Sequence, residues 1–186
     1  MTNPKNQPML TLTPINTRSK HYPFVEQLLH EAFPENERPD DDRQRANTDT
    51  NKRFHCLLVQ TEVLQPVGLL TYWFFDDYVY IEHFAISEAE QGKGYGSEAM
   101  KLFIEQIDLP VILEAEMPHH SNDLPNRRIR FYKRLGFRVC SMQYKQPPYR
   151  CTDKWVPMKI LKYGNMQITR LIKDNLYRQV YGFIGW

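Results

Sequence analysis

The segment from Tyr78 to Glu116 constrains the fold of this chain more than any other. It begins with a β-rich run at Tyr78–Ile86 and continues through a glycine-rich turn at Gln91–Gly96. An apolar helical stripe follows and ends before Pro110, and a second β-rich run covers Val111–Glu116. A strand, helix and strand joined over this length form a right-handed crossover, which makes the two strands parallel neighbours. The sequence therefore predicts an α/β fold with one parallel pair in its sheet.

The residues before this unit predict antiparallel strands. Two β-rich runs, Phe54–Gln60 and Val67–Phe75, are joined by short turns to each other and to Tyr78–Ile86. They predict a meander that makes the whole sheet mixed. A helix is expected near residues 21–33, whereas Glu35–Arg53 contains almost no large apolar residue and predicts a solvated loop or short helix.

The C-terminal part predicts further elements of the same core. A helix is expected at Asn126–Leu135, strands at Phe137–Tyr144 and Trp155–Ile160, and an amphipathic tail helix within Met166–Val180. We expect one domain over residues 1–162, with residues 163–186 as a C-terminal helical extension of that domain. The tail would pack either on the domain or on another subunit, so a homodimer stays open.

The overall composition argues against several functional classes. Lys and Arg number 24 against 22 Asp and Glu, a balance too even for a dedicated nucleic-acid binder. The longest near-apolar stretch, Val67–Phe75, is too short to span a bilayer, and Met1–Lys20 lacks the apolar segment of a signal peptide. Cys56, Cys140 and Cys151 match neither a disulfide framework nor a metal knuckle. We expect a cytoplasmic protein with reduced thiols that binds neither membrane nor nucleic acid.

The run Tyr78–Ile86 is apolar on both faces, which is typical of a central strand. Strict alternation places Tyr78, Tyr80, Glu82, Phe84 and Ile86 on one face and Val79, Ile81, His83 and Ala85 on the other. Glu82 and His83 are the exceptions to the apolar pattern. Burying an unpaired carboxylate costs several kcal/mol, which is a large part of the stability of a typical domain. A carboxylate on a buried strand is therefore expected to be paired, hydrated or functional.

The glycine-rich turn at residues 91–97 lies between a strand and a helix, where free backbone N–H groups attract phosphate oxygens. It lacks the Lys-Ser/Thr ending of a nucleotide-triphosphate loop, and its glycines do not fit the dinucleotide fingerprint G-x-G-x-x-G. The turn on its own is equally compatible with a simple strand-to-helix connection.

Two motifs in order resemble the GNAT superfamily of N-acetyltransferases. The first is Gln91-x-x-Gly94-x-Gly96 after a strand that ends in Phe84-Ala85-Ile86, and the second runs from Asn126 through Phe131-Tyr132-Lys133-Arg134-Leu135-Gly136-Phe137. The resemblance implies a mixed, mostly antiparallel sheet with helices on both faces, splayed between its fourth and fifth strands. It also implies that acetyl-coenzyme A, the acyl donor, lies in the gap, and that no metal is required.

The resemblance also implies a set of coenzyme contacts. Backbone groups of Phe84, Ala85 and Ile86 would face the pantetheine arm. The pyrophosphate would be bound by the turn, namely Gln91, Gly92, Lys93, Gly94, Tyr95, Gly96 and Ser97. Asn126 matches a coenzyme-contacting position, although it is equally a candidate helix N-cap. The predicted helix Asn126–Leu135 is rich in Arg and Lys, and its Arg134 is assigned to the 3′-phosphate of the coenzyme.

Acyl transfer to an amine needs a neutral amine, a donor for the developing oxyanion and a proton near the leaving sulfur. Tyr132 matches the family tyrosine that protonates or steers the sulfur, with core packing as its alternative role. Glu82 is the preferred base, directly or through a water, or else it holds a cation. Tyr80, His83, Glu114 and Glu116 are the alternative bases. Glu82, Glu114 and Glu116 would together form an acidic cleft that favours a cationic amine.

These assignments predict an N-acetyltransferase that transfers the acetyl group to a primary amine by direct attack in a ternary complex. No cysteine lies within the motifs, which agrees with transfer that forms no covalent enzyme intermediate. A small amine would need a closed pocket built from Glu35–Arg53 and Gln146–Arg150, and a protein N-terminus or lysine would need an open groove. A non-catalytic acyl-coenzyme A sensor with the same fold is the alternative from another class. His119 and His120 have no third ligand at metal spacing and predict a surface turn.

Overall fold

The computed structural model describes residues 10–118 and 123–184. The strands are β1 (Leu10–Pro14), β2 (Phe54–Thr61), β3 (Pro66–Phe74), β4 (Val79–Ile86), β5 (Val111–Glu116), β6 (Arg138–Val139), β7 (Tyr144–Gln146) and β8 (Val156–Tyr163). The α-helices are α1 (Tyr22–Ala32), α2 (Asp41–Thr50), α3 (Tyr95–Glu105), α4 (Leu124–Arg134) and α5 (Arg170–Asn175), which continues into a π-helical turn at Leu176–Val180.

The eight strands form one sheet in the order β1-β2-β3-β4-β5-β8-β6, and β7 also pairs with β8. Strands β1 to β4 are antiparallel neighbours, β4 and β5 are parallel, and β5 and β8 are antiparallel again. The predicted mixed, mostly antiparallel α/β fold is confirmed, including the meander and the parallel pair produced by the crossover through α3.

The parallel pair separates soon after it starts. β4 pairs with β5 only where Val79–Ile81 face Val111–Leu113. Beyond that point β4 remains bonded to β3 as far as Ile86, and β5 remains bonded to β8 as far as Glu116. The two strands therefore face each other with unpaired edges, and the predicted splay between the fourth and fifth strands is confirmed.

Strict alternation along β4 is wrong because the strand contains a β-bulge. Thr71 of β3 pairs with His83, and the next residue, Tyr72, pairs with Ile81, so Glu82 is the extra residue. A bulge rotates the strand and exchanges the faces of the residues that follow it. Tyr80 and Ala85 consequently pack in one core cluster, while Ile81 and Phe84 pack in the other.

Helices cover both faces of the sheet, as predicted. On one face Val25 and Leu28 of α1 pack with Tyr80, together with Ile172 and Leu176 from the tail. On the other face the partners of Ile81 are side chains of α3 and α4, namely Met100, Phe103 and Ile129. Within residues 10–118 and 123–184, no helix is long and apolar enough to cross a membrane.

Several boundaries differ from the sequence prediction. The leader residues Leu10–Pro14 form the edge strand β1, which the sequence did not predict. The segment predicted as a loop or short helix, Glu35–Arg53, contains a 3-10 turn at Glu35–Glu37 as well as α2. The predicted strand Phe137–Tyr144 is confirmed only at its ends: Arg138–Val139 form β6, Tyr144 is the first residue of β7, and both strands pair with β8, whereas residues 140–143 between them form no strand.

The C-terminal tail packs on the domain itself. Ile172, Leu176, Val180 and Tyr181 are buried in the core that also contains α1. Arg43 of α2 donates to the carbonyl oxygens of Val180 at 2.6 Å and Tyr181 at 3.1 Å. This packing brings the end of the tail beneath the gap between β4 and β5.

Candidate active site

A pocket that is open to solvent occupies the gap between the diverging parts of β4 and β5. Its lining combines carboxylates with aromatic rings. The carboxylates are Glu37, Glu82, Glu114 and Glu116, and the rings are those of Phe33, Tyr80, Phe84, Tyr132, Tyr149 and Tyr181.

The glycine-rich turn adopts the backbone conformation that its glycines permit. Gly92 and Gly94 have φ values of 80° and 91°, a left-handed region that side chains with a Cβ rarely adopt. A Cβ added at either position would have no atom within 4 Å. The turn therefore presents open space and exposed backbone on its outer side.

Helix α3 begins directly at this turn without a side-chain cap. Gly94 is the N-cap residue, and the first helical bond is donated by Glu98 to the Gly94 carbonyl oxygen. The amides of residues 95–97 are thus the orphan donors of the helix start. Lys93 forms an ion pair with Glu90 at 2.8 Å, which keeps its ammonium group at the same turn.

Gln91 has a specific contact that links the turn to β4. Its side-chain amide donates to the carbonyl oxygen of Ile86 at 3.0 Å. Phe84, Ala85 and Ile86 themselves are half-buried and hydrogen-bonded to β3 on one edge only. Their other edge faces the gap, where backbone groups are available to a ligand.

Glu82, at the bulge of β4, is held by two donors. The indole N–H of Trp73 donates to its Oε2 at 2.7 Å, and the Tyr149 hydroxyl donates to its Oε1 at 2.6 Å. The carboxylate is half-buried at the side of the pocket. Both oxygens therefore have fixed orientations, and one face of the group remains toward the cavity.

Glu114 of β5 lies at the centre of a tyrosine network. Its Oε1 accepts from Tyr144 at 2.6 Å and its Oε2 accepts from Tyr181 at 3.0 Å. The hydroxyls of Tyr80 and Tyr181 are 3.0 Å apart. Burial raises the pKa of Glu114 to about 7 in spite of these hydrogen bonds, which act in the opposite direction.

Glu37 and Glu116 form a second acidic pair in the same pocket. Burial raises the pKa of Glu37 to about 8. Glu116 acts in the same direction, both through its negative charge and by accepting a hydrogen bond from the protonated Glu37. The Arg128 guanidinium of α4 lies 3.9 Å from Glu116 and partly offsets these effects. Two adjacent carboxyl groups of this kind share a proton.

Tyr132 of α4 lies on the opposite side of the pocket. Its ring packs edge-on against Phe131 and Phe137, with centroids 5.1 Å and 5.5 Å away. Its hydroxyl has no hydrogen-bond partner among residues 10–118 and 123–184, and burial raises the pKa of Tyr132 to about 12. The hydroxyl is therefore protonated at neutral pH and available as a donor.

His83 occupies a satisfied structural position outside the pocket lining. Its Nε2 donates to the carbonyl oxygen of Glu37 at 3.1 Å, so its Nδ1 accepts from the Thr71 hydroxyl at 3.1 Å. Phe33 packs against the ring, and burial lowers the pKa of His83. The neutral imidazole ties the 3-10 turn to β4 and so fixes Glu37 at the pocket.

Of the predicted coenzyme contacts, only Phe84 lines this pocket; the turn at residues 91–97 lies outside the lining, as do Ala85, Ile86, Asn126 and Arg134. Asn126 lies within the first turn of α4, and Asp123 is the N-cap residue, so the alternative role of Asn126 as an N-cap is wrong. The helix starts earlier because Pro125 fits its first turn. Arg134 is exposed at the last residue of α4, whereas Arg128 is the basic residue of this helix that lines the pocket.

Comparison with known proteins identifies the fold. The sequence profile of the acetyltransferase (GNAT) family matches residues 22–137. This chain belongs to the GNAT family of acetyltransferases. A Bacteroides thetaiotaomicron protein described as a GNAT-family acetyltransferase is 36% identical, with a TM-score of 0.87 over 92% of this chain and 98% of its own. No protein of curated function matches the sequence.

Two more distant structures share the GNAT fold. The ribosomal-protein-S18-alanine N-acetyltransferase of Escherichia coli is 17% identical, with a TM-score of 0.61 over 87% of this chain and 97% of its own. A GNAT-family acetyltransferase of Elizabethkingia anophelis, whose structure contains acetyl-CoA, is 16% identical, with a TM-score of 0.60 over 87% of this chain and 100% of its own. At these identities the likeness concerns the fold alone.

The residues of this GNAT acetyltransferase fit a coenzyme-sized thioester. The unpaired edge of β4 would meet the amide-containing arm, and the open backbone of residues 92–97 would meet the pyrophosphate. No group of three or more His, Cys, Asp or Glu side chains suited to a metal occurs in the part of the chain that the structure describes, and His119 and His120 lie outside it.

Sequence reasoning missed part of the site. Glu37 lies in a segment predicted to be solvated. Tyr144 ends a predicted strand and Tyr181 follows the predicted tail helix, but the sequence analysis assigned neither tyrosine to the site. The aromatic residues Tyr177, Tyr181 and Phe183 near the end of the amphipathic tail were a usable signal, because solvated tails rarely contain so many rings. The segment Gln146–Arg150 was correctly suggested as a pocket wall, and its Tyr149 lines the cavity.

Proposed function

We propose that this GNAT acetyltransferase transfers an acetyl group from acetyl-coenzyme A to a small primary amine by direct attack in a ternary complex. The observation that carries the proposal is the pocket in the splayed strands, where a free β4 edge, a protonated tyrosine and four carboxyl groups converge. The acyl donor supplies the activated thioester. The remaining requirements, namely binding, orientation and proton movement, fall to side chains and backbone groups of this chain.

The donor would be held along one continuous surface. The edge of Phe84–Ile86 offers peptide groups to the pantetheine arm, and the amides of residues 92–97 offer their N–H groups to the pyrophosphate. Lys93 adds a positive charge beside them. Because Gln91 bonds the Ile86 carbonyl, it joins these two parts of the surface and fixes their relative position.

The acceptor amine must lose a proton before it can attack. Glu82 remains our proposed base or ammonium anchor, and Glu114 is the carboxyl group with a pKa raised to about 7. A carboxylate with this pKa is ionised to a useful extent at neutral pH and accepts a proton better than an ordinary carboxylate does. We place proton removal at this pair, with Glu114 as the stronger base.

The carbonyl oxygen gains negative charge as the amine attacks. Backbone N–H groups on the unpaired edge of β4 are the donors available for this charge, because the bulge and the splay leave them without a strand partner. A fixed backbone donor needs little reorganisation during the reaction, which is the physical basis of oxyanion stabilisation.

Tyr132 would assist departure of the sulfur. Its pKa of about 12 lies well above that of an ordinary thiol, about 8.5, so complete proton transfer from the phenol to the thiolate is uphill. The favourable role is therefore a hydrogen bond to the developing thiolate. The proton that finally neutralises the sulfur is the second one that the nitrogen loses, as the tetrahedral intermediate collapses to the amide and the thiolate departs.

A hydrogen-bonded wall on one side of the pocket supports a small acceptor. Arg150 donates to the Glu35 carbonyl oxygen at 2.7 Å, and Gln146 donates to the Asn36 carbonyl oxygen at 3.0 Å. These bonds join the 3-10 turn to the loop after β7 across one side of the cavity. The three cysteines are free thiols outside the pocket lining, which agrees with direct transfer.

A panel of amines tests the proposal. The full chain, acetyl-coenzyme A and each amine are incubated, free thiol is recorded, and the product is identified by mass. We expect equal amounts of free thiol and N-acetylated amine. Tight coenzyme binding without thiol release for any amine or peptide in the panel would instead indicate a non-catalytic acyl-coenzyme A sensor.

A further inference from the structure

The four carboxyl groups of the pocket fall into two pairs with different surroundings. Glu82 and Glu114 each receive two hydrogen bonds from tyrosine or tryptophan side chains. Glu37 and Glu116 line the same pocket, and among residues 10–118 and 123–184 the one ion pair of Glu116 is with the Arg128 guanidinium, at 3.9 Å. The second pair therefore lacks the donors that the first pair already has.

Aromatic rings line the same pocket beside both pairs. Phe33 lies beside the 3-10 turn that contains Glu37, and Tyr149 and Tyr181 lie next to Glu82 and Glu114, with ring centroids 4.8 Å apart. Carboxylates combined with aromatic faces attract organic ammonium groups through charge and through cation–π contact. They also accept the apolar chain that joins two such groups.

We propose that the acceptor is an aliphatic amine with a second, non-reacting ammonium group, which the Glu37–Glu116 pair binds while the reacting amine lies at Glu82 and Glu114. This inference rests on the proposed function and specifies its substrate class as a diamine or a longer polyamine. The non-reacting ammonium supplies the missing donors to the second pair and replaces the proton that its members share.

The charged groups around Glu37 also determine how the preference for a diamine over a monoamine depends on pH. The groups that face Glu37 are Glu114 and Glu116 from β5, Arg128 from α4 and the neutral His83 from β4. Its raised pKa means that the free enzyme keeps Glu37 protonated below about pH 8. A cation binds the ionised pair, so the preference for a second ammonium group increases as pH rises through this range.

Matched acceptors test the inference on the full chain with saturating acetyl-coenzyme A. The probes are α,ω-diaminoalkanes, n-alkylamines of equal carbon number, ω-aminocarboxylates and short peptides with a free N-terminus or a lysine. We expect kcat/KM for the best diamine to exceed that of its matched monoamine by about ten- to a hundredfold, the usual range for a hydrogen-bonded charge. The aminocarboxylate is expected to be the poorest, because the pair repels its carboxylate.

Variants of Glu37 and Glu116 test whether this pair causes the preference for diamines. Glu116→Gln and Glu37→Gln are expected to reduce the diamine-to-monoamine ratio of kcat/KM about tenfold, mainly through KM. Glu105→Gln, at an exposed position at the end of α3, is the matched control and is expected to keep the ratio. The ratio for the unaltered chain is expected to rise between about pH 7 and about pH 9, and to do so less in Glu37→Gln.

The outcomes separate this inference from the proposed function. Thiol release with equal kcat/KM for diamine and monoamine, a ratio that survives Glu116→Gln and Glu37→Gln, or a preference for peptides would overturn the second-ammonium subsite and leave N-acetyl transfer standing. Absence of thiol release with every acceptor would overturn both.

Discussion

Burial of ionisable side chains around the pocket sets the chemistry at the scale of single residues. Glu114 keeps its oxygens on Tyr144 and Tyr181, yet its pKa is raised to about 7 because the surrounding protein excludes water. The same exclusion keeps Tyr132 protonated. One group is thereby ready to accept a proton and the other to donate a hydrogen bond at neutral pH.

The pH dependence of kcat/KM tests the role of Glu114. A base must be deprotonated, so the rate is expected to rise as pH increases through about 7, the pKa of Glu114 in the folded enzyme. Glu114→Gln is expected to remove this acidic limb and to lower kcat. Glu82→Gln is the comparison: if it removes the limb and Glu114→Gln does not, then Glu82 is the base.

Glu114 is also expected to lower the stability of the fold at neutral pH. Its pKa is raised from 4.5 to about 7 on folding, so ionisation above pH 4.5 disfavours the folded state. Glu114→Gln is therefore expected to raise the free energy of unfolding at about pH 8 by on the order of 2 kcal/mol. Urea denaturation would show this as a higher midpoint concentration than that of the unaltered chain. At about pH 4, where both states bind the proton, the gain should disappear; a gain that persists there would mean that charge is not its cause.

Tyr132→Phe tests the hydrogen bond to the leaving sulfur. Phenylalanine retains the ring contacts with Phe131 and Phe137 and removes only the hydroxyl. We expect kcat to fall about a hundredfold, as for loss of one transition-state donor, with coenzyme affinity by calorimetry nearly unchanged. Tyr163→Phe, at the end of β8 and outside the pocket lining, is the control. Equal kcat values for Tyr132→Phe and the unaltered chain would remove Tyr132 from the mechanism.

At the scale of elements, the site depends on where two strands stop pairing and on how a helix begins. The β4 bulge aims Glu82 into the pocket, and the uncapped start of α3 leaves its amides free. Apolar periodicity predicted β2 to β5, α1 and α3 because each buries a continuous face. It could not predict the bulge, since the sequence of β4 alternates equally well with or without an extra residue.

Paired substitutions at Gly94 test the phosphate cradle. Asparagine and aspartate both tolerate a positive φ better than other residues and have nearly the same shape, so they differ mainly in charge. We expect Gly94→Asp to weaken coenzyme A binding about tenfold more than Gly94→Asn does, because aspartate repels the pyrophosphate. With acetyl-pantetheine, which lacks that group, the two variants should bind alike. Equal coenzyme A affinities would place the pyrophosphate elsewhere.

At the scale of the whole molecule, distant segments complete the site. Tyr181 from the tail and Tyr149 from the loop after β7 are each 67 positions away from the glutamate they contact. Such contacts follow from tertiary packing, so the sequence indicated the glutamates but not their partners. We propose that residues 163–186 are an integral part of the domain formed by residues 1–162, because the side chains of Ile172, Leu176, Val180 and Tyr181 enter its core.

Two leucines of the tail test this proposal. Leu176 is fully buried and Leu171 is 69% exposed. Leu176→Ala is expected to lower the free energy of unfolding by about 3 kcal/mol in one cooperative transition, whereas Leu171→Ala should change it by less than about 0.5 kcal/mol. A second transition that carries all of the Leu176→Ala effect would show that the tail folds separately.

A crystal structure of the enzyme with coenzyme A bound tests the central claim most directly. The account predicts pyrophosphate oxygens about 3 Å from backbone nitrogens of residues 92–97 and a pantetheine arm along the free edge of Phe84–Ile86. A coenzyme bound at another surface, or β4 and β5 paired along their full lengths in the complex, would contradict it.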